Sequence, residues 1–232
     1  MKELAIIIVK KFLIFIEKQK AKYEFKNKQI SSIEFQLKND YLREVRPYSS
    51  INFYQSYPPL RIRGARPTLS RFQIYNLEKH LNSKMNILDI GGNTGFFSLF
   101  VSSKVNSIDV LEIEEPFARI GKKLARYEKI ENVKFINKDF KKFNPDKKYD
   151  LIFSFAVHGH TQMKFDKYIE KVFSLLSEKG KVLIESHPLG FTANENSLKE
   201  ELQKLNFVTI LSSGQLDDDG RLRTFYYIEK KK

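Results

Sequence analysis

From Asn86 onward the chain alternates between short apolar runs and longer stretches whose apolar residues recur at helical spacing. The runs fall at about 86–90, 107–113, 133–137, 150–155, 181–186, 206–212 and 222–228, and each is short enough for a buried strand. Between them, helices are predicted at about 95–103, 115–128, 163–177 and 197–204. Strand–helix alternation of this kind predicts a mostly parallel sheet covered by helices. The last two runs flank Asp217-Asp218-Asp219-Gly220 and read as an antiparallel hairpin. Upstream, a helix is predicted from Thr68 to about Leu81. Ile33-Glu34-Phe35-Gln36-Leu37 alternates like a strand.

The first run ends in chemistry. Asn86-Ile87-Leu88-Asp89-Ile90 stops at Gly91-Gly92-Asn93-Thr94-Gly95 and restarts as Phe96-Phe97-Ser98-Leu99. Glycines there free the backbone for a tight turn and let a ligand approach the main chain. The helix that follows offers unpaired N–H groups at the same place. The second run ends in Glu112-Ile113, where folds of this kind grip ribose hydroxyls. The third ends in Asp139-Phe140, a carboxylate to accept from an adenine amine and a ring to pack on its face. The fourth carries Ser154.

In order and spacing these residues resemble a class I S-adenosylmethionine-dependent methyltransferase, from about Arg66 to the end of the chain. The motifs are Leu88-Asp89-Ile90-Gly91-Gly92-Asn93-Thr94-Gly95, then Glu112, Asp139-Phe140 and Asp150-Leu151-Ile152-Phe153-Ser154. Leu175 to Ile184 resembles the family's turn into its fifth strand. The resemblance implies an α/β fold: a seven-stranded, mostly parallel Rossmann-like sheet with an antiparallel last strand. It implies S-adenosylmethionine as cofactor, bound by Asp89, Gly91, Gly92, Asn93, Gly95, Glu112, Ile113, Asp139, Phe140 and Ser154. Gly92 stands where many members carry Cys, a departure of little expected consequence.

Charge divides the chain. Residues 1–84 hold 17 Lys and Arg against 7 Asp and Glu, and residues 85–232 hold 24 against 21. Residues 1–66 therefore read as a basic, aromatic extension, a lid or oligomerisation element, and 67–232 as the methyltransferase domain. Such an extension can meet nucleic acid, anionic lipid or an acidic substrate. Arg61, Arg63, Arg66 and Arg71 cluster before the first strand, and arginine forks suit carboxylate or phosphate. Arg66 is placed at the cofactor or at a phosphorylated acceptor. Residues 5–16 are apolar but too short to span a bilayer and split by Lys10-Lys11. They read as a helix lying across the domain or in a homodimer contact, with a membrane-surface anchor as the alternative. A secretory-type cleavage site is missing, so the default location is cytoplasmic. No cysteine is present, which excludes disulfides, thiolate metal sites and iron–sulfur chemistry.

His158 and His160 follow the fourth strand and His187 the fifth, at the edge where ligands of open α/β sheets bind. One of them is the candidate general base for a hydroxyl acceptor, His158 favoured. A metal held by His158, His160 and His187 or Glu185 is the alternative. His80 ends a helix and reads as a dipole-complementing surface residue. Three functions stand: O-methylation of a small-molecule, sugar or phosphorylated glycan-precursor acceptor; RNA methylation through the basic segment; and an inactive binding subunit, against which intact Asp89, Glu112 and Asp139 speak. The Pro-Pro-aromatic element of amino-group methyltransferases is not found after the fourth strand, where the chain reads Ser154-Phe155-Ala156-Val157.

Overall fold

The computed structural model describes residues 2–44, 51–186, 195–217 and 222–231. Seven strands, β1 (Asn86–Ile90), β2 (Ser107–Glu112), β3 (Val133–Asn137), β4 (Tyr149–Phe155), β5 (Leu176–Glu185), β6 (Val208–Leu216) and β7 (Arg223–Lys230), form one sheet. Their order is β3-β2-β1-β4-β5-β7-β6, with β7 antiparallel to both β5 and β6. The order reverses between β1 and β4, so a crevice opens beyond the carboxyl ends of β1, β2 and β4.

β1, β2 and β4 are buried almost throughout because helices cover both faces, whereas the edge strand β3 alternates buried and exposed. On one face lie α4 (Phe96–Val101) and α5 (Glu115–Tyr127), and on the other α7 (Phe165–Ser174) and α8 (Glu195–Lys204). A short α6 (His158–Thr161) follows β4 directly. β5 begins at Leu176, earlier than the predicted 181, because a register shift opposite Tyr149 and Leu151 admits Leu176 to Gly180 into the strand.

The region before β1 departs most from expectation. Residues 32–44 form a helix, α2 (Ser32–Glu44), not a strand at 33–37. Ile33, Leu37 and Tyr41 are buried at a spacing of four, the helical period that five alternating residues could not display. α3 covers Thr68–Ile74 only, and a separate 3₁₀ turn at Leu77–Lys79 completes the predicted helix. His80 caps that turn and stacks on Tyr227 at 4.1 Å, so it is part of a packed surface and burial lowers its pKa. Phe53, Tyr57 and Ile62 enter the same core as the sheet, with Phe53 5.2 Å and Tyr57 5.9 Å from the Phe96 ring. α1 (Lys2–Lys26) packs against α2, which itself packs on α5.

Candidate functional site

The loop after β1 is built on left-handed backbone. Gly91, Asn93 and Gly95 take φ of +67°, +56° and +67°. Glycine and asparagine adopt that region at the least cost. The Gly91 and Gly92 N–H groups both donate to the Leu111 carbonyl, at 2.8 and 3.3 Å, which moors the loop to β2. A Cβ on Gly92 would lie 2.5 Å from Val110 Cγ1 and 2.8 Å from Asp89 Oδ2. The glycine is therefore a packing requirement of this chain, because Val110 fills the space a cysteine would need. Beneath the loop, Asp89 accepts a 2.7 Å bond from the Ser98 hydroxyl and ties α4 to β1. Burial pushes its carboxyl up to about 6, against the pull of that bond and of Arg71.

Glu112 closes the site from β2. Its Oε2 accepts from the Asn93 N–H at 2.8 Å and its Oε1 from the Glu114 N–H at 2.8 Å. Burial raises its pKa and these amide bonds oppose the rise. Each oxygen keeps a second lone pair for a ligand hydroxyl. Beside it, Ile113 is 61% exposed, a large apolar side chain on the rim of a polar crevice. Asn137 at the end of β3 donates to the carbonyls of Glu112 and Ile113, at 2.9 and 2.8 Å. Asp139 follows, capping a 3₁₀ turn by accepting from the Lys141 N–H at 2.8 Å. The ends of β1, β2 and β3 thus meet at one edge, as their spacing implied. Two of the sequence candidates turn elsewhere. The Phe140 ring is buried 5.3 Å from Tyr168, in the core opposite α4, and Ser154 Oγ shares a 2.7 Å bond with the Tyr168 hydroxyl.

Two buried polar atoms of the loop, Asn93 Oδ1 and Thr94 Oγ1, have no hydrogen-bond partner among the described residues. Buried polar groups are as a rule hydrogen-bonded. A ligand rich in hydroxyls and amines fits a loop that leaves such atoms open beside Glu112. Part of the helix start is already occupied: α4 has six residues, and Gln55 Oε1 accepts from the Phe97 N–H at 3.1 Å.

The histidines separate. His158 is 6% exposed, packed on Phe165 and Tyr168 at ring distances of 5.1 and 5.0 Å. Its Nε2 lies 3.0 Å from the Met163 carbonyl, which only accepts, so Nε2 carries the proton. That geometry fits a ring holding the turn after β4 in place. His160, two residues on, is exposed on α6. Val157, between β4 and α6, stands against Gly91: a Cβ on that glycine would meet Val157 Cγ2 at 2.4 Å. The α6 turn therefore borders the glycine loop directly. His187 lies outside the described residues.

Sequence reasoning missed the densest charged cluster of the domain. Glu185, at the end of β5, is buried under three guanidiniums. Oε1 pairs with Arg66 at 2.8 Å and Arg223 at 3.0 Å, and Oε2 with Arg71 at 3.2 Å. Tyr75 donates its hydroxyl to Oε2 at 2.7 Å. Burial opposes the charge, yet Arg66, Arg71, the Tyr75 bond and Arg223 together hold the carboxyl down at about 2. Arg71 also lies 4.6 Å over the Phe155 ring and 5.1 Å over Phe97. Arg66 and Arg71 are fully buried, whereas Arg61 and Arg63 are exposed. The arginine run was visible in sequence, but its glutamate partner, 119 and 114 positions away, was not. Glu185 is thereby removed from the metal alternative, since its oxygens face cations.

Comparison with known proteins agrees with this geometry. Residues 81–224 match the family described as "Methyltransferase domain", which is more than half of the chain. A malonyl-[acyl-carrier protein] O-methyltransferase 2 of Ilyobacter polytropus is 41% identical over 86 residues, covering 34% of this chain and 30% of that relative. The O-methyltransferase 1 of the same organism is 31% identical over 135 residues, covering 52% and 47%. The chain thus spans about half the length, or less, of these curated relatives. The crystal structure of the N-methyltransferase NodS from Bradyrhizobium japonicum WM9 superposes with a TM-score of 0.56 at 15% identity, covering 70% of this chain and 96% of that one. The chain belongs to the methyltransferase domain family: it is a class I methyltransferase with S-adenosylmethionine as methyl donor.

Proposed function

We propose that the enzyme methylates an oxygen of a small-molecule, sugar or phosphorylated glycan-precursor acceptor. The observation that carries the reading is the exit of β4. Ser154-Phe155-Ala156-Val157 leads into α6 without a Pro-Pro-aromatic element; Val157 stands against Gly91, and His160 is exposed three residues further on. The names of the two O-methyltransferase relatives support it.

Bound S-adenosylmethionine supplies an electrophilic methyl group on sulfur. Gly91, Asn93, Thr94 and Gly95 would line it, Glu112 would hold the ribose hydroxyls, and Ile113 with Asp139 would meet the adenine. Methyl transfer from a sulfonium is an in-line displacement, so alignment and exclusion of water do most of the work. The acceptor's oxygen would form the new bond to carbon as the carbon–sulfur bond breaks, the electron pair staying on sulfur as a neutral thioether, and the acceptor's hydrogen would leave as a proton to the imidazole of His160. Labelled donor presented to glycan, nucleotide-linked and RNA pools tests the reading. Label in an oxygen-linked methyl of the first two pools is the expected result, and label confined to RNA would overturn it. The RNA reading rests on the excess of 17 basic over 7 acidic residues before position 85. It requires affinity that falls steeply with salt.

Glu112→Ala tests the cofactor placement. Loss of a charged acceptor should weaken donor binding by roughly 1.5–3 kcal/mol, read by calorimetry. Wild-type affinity in that variant would take Glu112 out of the site.

A further inference from the structure

α1 is built the reverse of an ordinary surface helix, which turns its apolar stripe inward. Twenty-five residues give it a length of about 37 Å. The stripe facing the protein is mixed: Ile7, Lys10, Ile14, Glu17, Lys18 and Ala21 are the less exposed positions. It is held to α2 by ion pairs of Lys38 with Glu17 and Glu24, at 3.2 and 3.7 Å, and by the stacked rings of Phe25 and Phe35. α2 in turn rests on α5, through Lys123–Asp40 and Arg119–Glu44. α1 is thus the outermost layer, anchored through its polar side.

The arc turned away from the protein carries Ile6, Ile8, Val9, Phe12, Leu13, Phe15 and Ile16, exposed by 40–61%. Monomeric proteins seldom leave so large a contiguous apolar patch to water. No helix among the described residues is long and apolar enough to cross a membrane. From Lys2 to Lys28 the chain has eight lysines against three glutamates, a net of +5. Lys11, Lys20, Lys22 and Lys26 are exposed along and beyond this arc.

We propose that α1 is an in-plane membrane helix, docking the enzyme on a bilayer leaflet rich in anionic phospholipid. Apolar side chains on one arc enter the boundary between headgroups and acyl chains, and flanking lysines reach the phosphates. Charge decides between this partner and a second copy. Two copies meeting through this arc would bring two helices of net +4 together, whereas an anionic leaflet attracts every exposed lysine. The docking is independent of which acceptor the enzyme methylates.

Flotation of the full chain with vesicles tests the assignment, using phosphatidylcholine alone and phosphatidylcholine mixed with phosphatidylglycerol. The wild type should float with the mixed vesicles, less so with the neutral ones and less at high salt. Phe12→Glu with Ile16→Glu, both outside the core, should lower partitioning at least about tenfold. Light scattering on the same samples reads the oligomeric state. No flotation on anionic vesicles, or equal flotation of the variant, overturns the proposal. A wild-type dimer that the same substitutions dissociate, with no vesicle binding, assigns the face to a second copy instead.

Discussion

His160→Ala is expected to lower turnover by about 10²–10⁴-fold and to leave donor affinity unchanged. The two readouts separate because the residues assigned to the donor are on the ends of β1, β2 and β3, whereas His160 is on the turn after β4. Alanine removes the imidazole that takes the acceptor's proton, so the loss should appear in turnover at saturating donor. His158→Ala has a different expected signature. It removes the ring between Phe165 and Tyr168 and leaves the Met163 carbonyl without its donor. Stability should fall by about 2–4 kcal/mol. Any loss of turnover should follow the loss of folded protein. Full turnover in His160→Ala, with turnover lost in His187→Ala, would move the role to the segment after β5.

The difference between those histidines shows what a linear reading can reach. Period and spacing mark strand ends, because burial on both faces writes near-continuous apolar runs and ligand contact writes acids and glycines after them. Asp89, Glu112 and Asp139 were legible for that reason, and the structure brings their strand ends to one edge. Side-chain direction is not written that way. Phe140 and Ser154 occupy motif positions, yet both side chains meet Tyr168, fourteen residues beyond Ser154, in the core. α2 was misread because five residues of alternation fit a strand and a helix equally. α1 was readable as apolar and basic, but which of its stripes faces the protein depends on Phe35 and Lys38, and these lie on α2, a segment that its alternation presented as a strand. Glu185 could be found only by knowing that β5 lies beside β7 and under α3.

Glu185→Gln is expected to be the most destabilising conservative change in the domain. It keeps the shape of the side chain and removes a carboxylate charge that Arg66, Arg71 and Arg223 share. Breaking a buried ion pair by neutralising one partner costs about 3–5 kcal/mol, because the remaining charge stays buried. At about 2–4 °C per kcal/mol for a domain of this size, the thermal midpoint should drop by about 10 °C. The acid dependence of stability supplies the control. The folded carboxyl of Glu185 is held at about 2, below its ordinary 4.5. Its contribution is present above the ordinary value and disappears as pH falls through the folded one. Asp89 acts in the opposite sense. Its folded value is about 6 against an ordinary 3.8, so its contribution is full below 3.8 and is lost as pH rises through 6. These two groups together place their greatest combined stabilisation near pH 4–5. Thermal melts from pH 2 to 8 should show both limbs in the wild type. Glu185→Gln should flatten the acid limb and Asp89→Asn the one approaching neutrality. A Glu185→Gln protein that melts with the wild type at pH 7 would show that the three arginines are stabilised by other means.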